Sequence, residues 1–197
     1  MRRRFLPHPA AALVAVLLAF SGAARPEELA GIFMPDRLEV EGRNLLLNGL
    51  GLREATIFKV DVYVAGLYLE RKTSDPEDIL ALTQALQIKM KFLRSVSRKD
   101  IVEAWDEGFE KHAGVDRRFY RDGLQSLDGW MSDMSKGDTM TYTYLAHEAT
   151  LRVEVNDEIQ GLIPGPEFTR SFLRVWIGPN VTWNKLKRGL LGAQLAK

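Results

Sequence analysis

Phe58-Lys59-Val60-Asp61-Val62-Tyr63-Val64-Ala65-Gly66-Leu67-Tyr68-Leu69 is the stretch on which the fold turns. Side chains alternate along an extended chain, so Val60, Val62, Val64 and Tyr68 share one face while Lys59, Asp61, Tyr63, Leu67 and Leu69 share the other. The first face reads as dry throughout. The second opens with Lys, Asp and Tyr and becomes apolar toward its end, so its polar end is expected to line a cleft above a core.

Working back, Gly49-Leu50-Gly51-Leu52-Arg53 reads as a turn before this strand, with the glycines relieving a clash. Leu38–Gly42 and Asn44–Gly49 read as a hairpin around Gly42-Arg43-Asn44. Working forward, Asp75-Pro76 starts a short helix, and Leu86–Phe92 alternates as a strand. Ser97 caps a helix over 98–112 on which Ile101, Trp105, Gly108 and Phe109 form one stripe. A second helical stretch runs over 116–134. Thr139–Leu145 and Thr150–Val155 form a hairpin, and Asn156-Asp157 turns into Glu158–Gly161. Phe168–Ile177 is a buried helix and Trp183–Leu191 a final short one. This order predicts an α+β class protein: an antiparallel β-sheet with helices layered on one face, an open-faced β-sandwich.

Composition narrows the function. The 197 residues carry 27 Lys+Arg against 26 Asp+Glu, a formal charge of +1 that supplies no broad field for nucleic acid. With no cysteine there is no disulfide, thiolate metal site or cysteine nucleophile. The histidines, His8, His112 and His147, are too scattered for a histidine metal site, and nothing in the sequence asks for a cofactor. His112 continues an apolar stripe as a packed or rim residue, and His147 sits beside Glu148 at a hairpin tip.

Arg2-Arg3-Arg4, the apolar run from Ala10 to Phe20 and Ser21-Gly22-Ala23-Ala24 have the pattern of a secretory signal peptide. The run is too short for the roughly 20 residues that span a bilayer. The expected division is therefore a signal peptide over 1–24, an N-terminal extension over 25–34 and one domain over 35–197. The expected destination is periplasmic or secreted, with no membrane span after cleavage. Loss of the three arginines takes the formal charge from +1 to −2.

Several pieces in order resemble the chalcone isomerase-like family: Gly49–Arg53 leading into Phe58–Glu70, Phe92-Leu93-Arg94 ahead of Ile101–Phe109, Lys136-Gly137-Asp138 ahead of a hairpin ending at Asn156, and Phe168 through Gly178. The likeness runs over roughly 35–192 and points to the exported bacterial branch. It implies the chalcone isomerase-like fold, with a ligand cleft between sheet and helices. In the plant isomerases an arginine before the long strand is catalytic, and Arg53 matches it. Their strand threonine is replaced here by Tyr63. Their tyrosine, lysine and asparagine fall on Ile101, Ala104 and Gly108, and a late-helix hydroxyl falls on Val175.

Cyclising a chalcone needs a held phenolate and a stabilised carbonyl charge. These apolar replacements leave a substrate's other polar groups unpaired, at about 1–3 kcal/mol each. The favoured reading is a noncatalytic binder. The resemblance implies a fatty acid or similar small apolar carboxylate in a cleft of Arg53, Tyr63, Arg94, Ile101, Ala104, Trp105 and Val175. Two alternatives stay open: an isomerase (intramolecular lyase) using Arg53 with Tyr63, and a periplasmic protein-interaction module. Each arginine also has a purely structural alternative, Arg53 pairing with Glu54 or Asp61 and Arg94 satisfying carbonyls at the strand end.

Overall fold

A computed structural model describes residues 27–55, 60–181 and 184–193, so the segment read as a signal peptide, residues 56–59 and Trp183 lie outside the described residues. In chain order the elements are β1 (Glu27–Leu29), β2 (Ile32–Met34), β3 (Arg37–Val40), β4 (Arg43–Ala55), β5 (Val60–Leu69), α1 (Pro76–Leu80), β6 (Leu86–Phe92), α2 (Arg98–His112), a 3-10 turn (Arg117–Phe119), α3 (Arg121–Trp130), β7 (Thr139–Leu145), β8 (Thr150–Val155), β9 (Glu158–Pro164), α4 (Pro166–Ile177) and α5 (Asn184–Leu190). Strands β3 to β9 pair in sequence order as one antiparallel meander, and β1 pairs with β2 as a separate hairpin.

Local chemistry sets the element ends. Ser97 caps α2 by accepting from the Asp100 amide, and Asp75 caps α1 by accepting from the Glu77 amide, each satisfying an N–H that the helix leaves unpaired. Asn156 and Asp157 both have positive φ, the geometry of a two-residue hairpin between β8 and β9. The first hairpin turns one residue earlier than the sequence suggests. Glu41 and Gly42 take the positive-φ positions, and Val40 pairs with Arg43. Residues 116–134 are not one helix: Asp116 caps the 3-10 turn, α3 ends at Trp130, and Met134 bridges back to Val96.

The glycine-rich segment is a second correction. Gly49 and Gly51 lie inside β4 rather than in a turn, and α5 is the reason. A β-carbon on Gly49 would stand 2.0 Å from the Gly189 carbonyl oxygen, and one on Gly51 would stand 2.5 Å from that of Leu186. The turn reading had the right cause, a clash, in the wrong conformation.

The sheet buries both faces at its centre. On the helical face Ala65, Leu67 and Leu69 of β5 join Ile88, Tyr142, Leu151, Phe109 and Phe172 in the main core. On the opposite face Val64 and Tyr68 pack with Leu45, Leu47 and Met34. There the Tyr68 hydroxyl donates to the Pro35 carbonyl at 3.0 Å, seating the end of the β1–β2 hairpin against the sheet. Glu27–Met34, expected as an extension, thus carries a buried residue, Met34. The expectation that the Val60 face of β5 is dry throughout fails at its start, where Val60 is 41% exposed. The sheet is curled: Arg152 on β8 reaches Glu41 in the β3–β4 turn in a short ion pair.

Candidate functional site

The polar end of β5 faces a cleft between the sheet, α2 and α4. Arg53 and Tyr63 are direct cross-strand partners on β4 and β5, and Tyr63 is in turn opposite Phe92 on β6. Opposed residues place their side chains on the same face, so pairing alone sets arginine, tyrosine and phenylalanine in a row. Helix α2 contributes Ile101, Ala104 and Trp105 at spacings of three and four, and α4 contributes Val175 and Trp176. A cleft of about 280 Å³ is enclosed by these residues together with Met90, Met140 and Val62, and Arg94 and Asp100 also line it.

All of the residues singled out from the sequence therefore border one cavity: Arg53, Tyr63, Arg94, Ile101, Ala104, Trp105 and Val175. The reading missed Phe92, Met90 and Met140. The strand members carried a usable signal, since Met90 and Phe92 alternate with Lys89 and Lys91 and so share the face that Tyr63 meets. Gly108 lets α2 approach α4, because a β-carbon there would lie 2.7 Å from Val175 Cγ1.

The interior walls are aromatic. Tyr63 contacts Phe92 edge-on at 5.8 Å and Trp176 at 5.9 Å, and Trp105 stacks on Phe172 at 5.1 Å. These contacts carry the main core up to the cleft and hold its walls in place.

Its electrostatics are concentrated at the Arg53 end. Arg53 Nη1 donates to the Glu54 carbonyl at 2.9 Å, and the Glu54 carboxylate takes Lys185 at 3.0 Å. Burial lowers the Arg53 pKa from its ordinary value, and the Tyr63 hydroxyl and Glu107 carboxylate act in the other direction. Arginine remains charged through such a shift because its ordinary value is so high. Burial pushes the Tyr63 pKa well up, so its hydroxyl stays protonated and able to donate. Arg94 is exposed, and its Nε donates to the Ser95 carbonyl at 3.3 Å beyond the end of β6. The end of the cleft at β4 and β5 thus offers one partly buried cation and one hydroxyl donor, and the opposite walls offer apolar surface. That arrangement can hold an anion with an apolar body.

Other places are less suited. A larger open hollow of about 1,360 Å³ lies between Glu27–Leu29, Asn48–Leu50, Lys72–Ser74 and Gly189–Ala193, with no aromatic wall. Glu41, His147 and Glu148 bring possible metal-ligand atoms within 4.8 Å of one another, but all three are exposed and Arg152 already holds Glu41. No helix among the described residues is long and apolar enough to cross a membrane.

Comparison with known proteins agrees with the architecture. The family model described as chalcone isomerase-like matches residues 26–192. A crystal structure of a fatty-acid binding protein from Arabidopsis thaliana superposes with a TM-score of 0.67 at 17% identity, covering 86% of this chain and 96% of that one. At that identity the likeness shows the fold. No curated protein sequence matches the chain significantly.

Proposed function

The chain belongs to the chalcone isomerase-like family, and from that membership we propose that it is a noncatalytic binder of a fatty acid or similar small apolar carboxylate. The observation that carries this reading is the pairing of Arg53 with Tyr63 at one end of a cleft otherwise walled by Ile101, Trp105, Met90, Met140, Val175 and Trp176. A guanidinium and a hydroxyl form charge-assisted hydrogen bonds with a carboxylate, and the walls take an alkyl chain out of water. The structural relative described as a fatty-acid binding protein supports the same choice.

Volume limits the ligand. Small-molecule sites commonly span about 300–1,000 Å³, and 280 Å³ lies just below that range, which favours a short or medium chain. Catalysis of the chalcone type is disfavoured because Ile101, Ala104, Gly108 and Val175 present no side-chain hydrogen-bond donor where the plant enzymes have polar groups. We also propose, from the Arg2–Ala24 pattern, that the protein is exported and acts in the periplasm or outside the cell.

The test is titration of the purified protein with decanoate, read by tryptophan fluorescence, because Trp105 and Trp176 wall the cleft. Saturable binding that weakens in Arg53→Ala is expected. Absence of affinity for alkyl carboxylates of any chain length, with no lipid copurifying, overturns the reading. Flavanone formation from a chalcone far above the spontaneous rate and lost in Arg53→Ala replaces it with the isomerase.

A further inference from the structure

Trp176 brings to the cleft a hydrogen-bond donor that no described residue uses. It lines the cleft from α4 and is only 2% exposed, and its indole Nε1 is buried with no hydrogen-bond partner. Among the buried side-chain atoms in that condition, Trp176 Nε1 is the one on a cleft-lining residue; the hydroxyls of Thr141 and Thr169 belong to residues that do not line it. The rings nearest the indole are those of Tyr63, Trp105 and Phe172, at 5.9, 5.9 and 6.1 Å. An aromatic face is a weak acceptor for an N–H, so this packing does not replace the missing bond. Tyr63 and Trp105 are themselves walls of the cleft, which leaves the ligand space beside them as the side from which an oxygen can reach the indole.

We propose that the cleft is built for an oxygenated alkanoic acid: a carboxylate held at Arg53 and Tyr63, and a keto or hydroxyl oxygen along the chain that accepts from Trp176 Nε1. The inference rests on the carboxylate-binding reading above and narrows its ligand class. An indole N–H donates and cannot accept, so the group it lacks is an acceptor. Arg53 and Tyr63 hold the acid from the sheet, on β4 and β5, whereas Trp176 meets the ligand from the helical side. A saturated chain covers the indole and leaves its donor unmet. A site with a buried polar group discriminates against an analogue that lacks the matching partner. A keto group replaces a methylene with little change in volume, so it suits a cleft of about 280 Å³.

The experiment compares decanoate with a series of oxodecanoates in which the ketone walks along the chain, by isothermal titration of the wild-type protein, Trp176→Phe and Trp105→Phe. At least one oxo acid is expected to bind the wild type about three- to tenfold tighter than decanoate, the worth of one neutral hydrogen bond. Trp176→Phe brings that acid down to the affinity of decanoate, and Trp105→Phe leaves the preference in place. In NMR spectra of the wild type, one of the four indole N–H signals moves downfield with the preferred oxo acid and not with decanoate. That signal tests the proposal even if Trp176→Phe does not fold. Decanoate binding as tightly as every oxo acid, a preference that survives Trp176→Phe, or an equal loss of decanoate and oxo acids in that variant overturns the proposal and leaves the carboxylate reading intact. A wild-type protein with no affinity for any of these acids overturns the carboxylate reading and this proposal with it.

Discussion

Gly49 of β4 and Gly189 of α5 meet backbone to backbone: a β-carbon on Gly49 would stand 2.0 Å from the Gly189 carbonyl oxygen, and one on Gly189 would stand 2.1 Å from the carbonyl oxygen of Leu50. The obstacle on each side is main chain, which cannot rotate away as a side chain can. Asn48 fixes the same junction, its Nδ2 donating to the Leu190 carbonyl at 2.8 Å while its Oδ1 accepts from the Thr73 amide at 2.9 Å. Either Gly49→Ala or Gly189→Ala must therefore push α5 off the sheet. The expected loss is toward the upper end of the about 1–3 kcal/mol that overpacking costs, read as a lower urea midpoint.

That contact also shows where the sequence stops being informative. Periodicity identified α2 over 98–112 with its cap at Ser97, because both signals are local. The meaning of Gly49 and Gly51 is not local: a glycine required by a turn and one required by a helix crossing the strand look alike in one dimension. Residues 116–134 carry apolar spacing compatible with one helix, yet Tyr120 is buried against Phe109 at 5.1 Å and the chain breaks there into a 3-10 turn and α3. For the cleft, family likeness led to Arg53 and alternation to Tyr63. Met140 stayed hidden, since only the fold brings β7 to the cleft.

Asp128 on α3 has its carboxyl pKa raised from an ordinary 3.8 to about 6, first by burial, then by Asp106, with Arg98 opposing. Its folded-state pKa lies above the unfolded value, so folding takes up a proton between about pH 4 and pH 6. Stability therefore rises as pH falls through 6 and gains nothing more from this group below about 4. Asp128→Asn should raise the melting temperature at pH 7.5 and give no advantage at pH 3.5. Asp128 is only partly buried, so the gain is about 1 kcal/mol or less. Thermal melts of both proteins across this pH range check it.

Ala104 is exposed at the cleft while its neighbour Trp105 is buried. Enlarging it fills ligand space without touching the core. Ala104→Leu should keep the melting temperature within a few degrees and lower decanoate affinity, with shorter acids less affected than longer ones. A titration series over chain length reads this directly. Equal losses for all lengths would place the alkyl chain elsewhere.

Arg53 and Tyr63 together decide what the polar end recognises, and the two natural substitutions at Arg53 separate charge from shape. Hydrogen bonds to charged groups contribute about 1.5–3 kcal/mol, so Arg53→Ala should weaken decanoate by about tenfold or more. Arg53→Lys keeps the charge but replaces a planar fork with a flexible ammonium, so it should recover only part of the loss. Tyr63→Phe removes the hydroxyl and keeps the ring that meets Phe92 and Trp176. It should cost less than Arg53→Ala, because that hydroxyl is neutral and contributes about 0.5–1.5 kcal/mol. Isothermal titration of the three variants orders them as Tyr63→Phe, Arg53→Lys and Arg53→Ala from least to most impaired. Full recovery in Arg53→Lys would mean that the cleft reads charge alone and that the geometry of the guanidinium beside Tyr63 is not used.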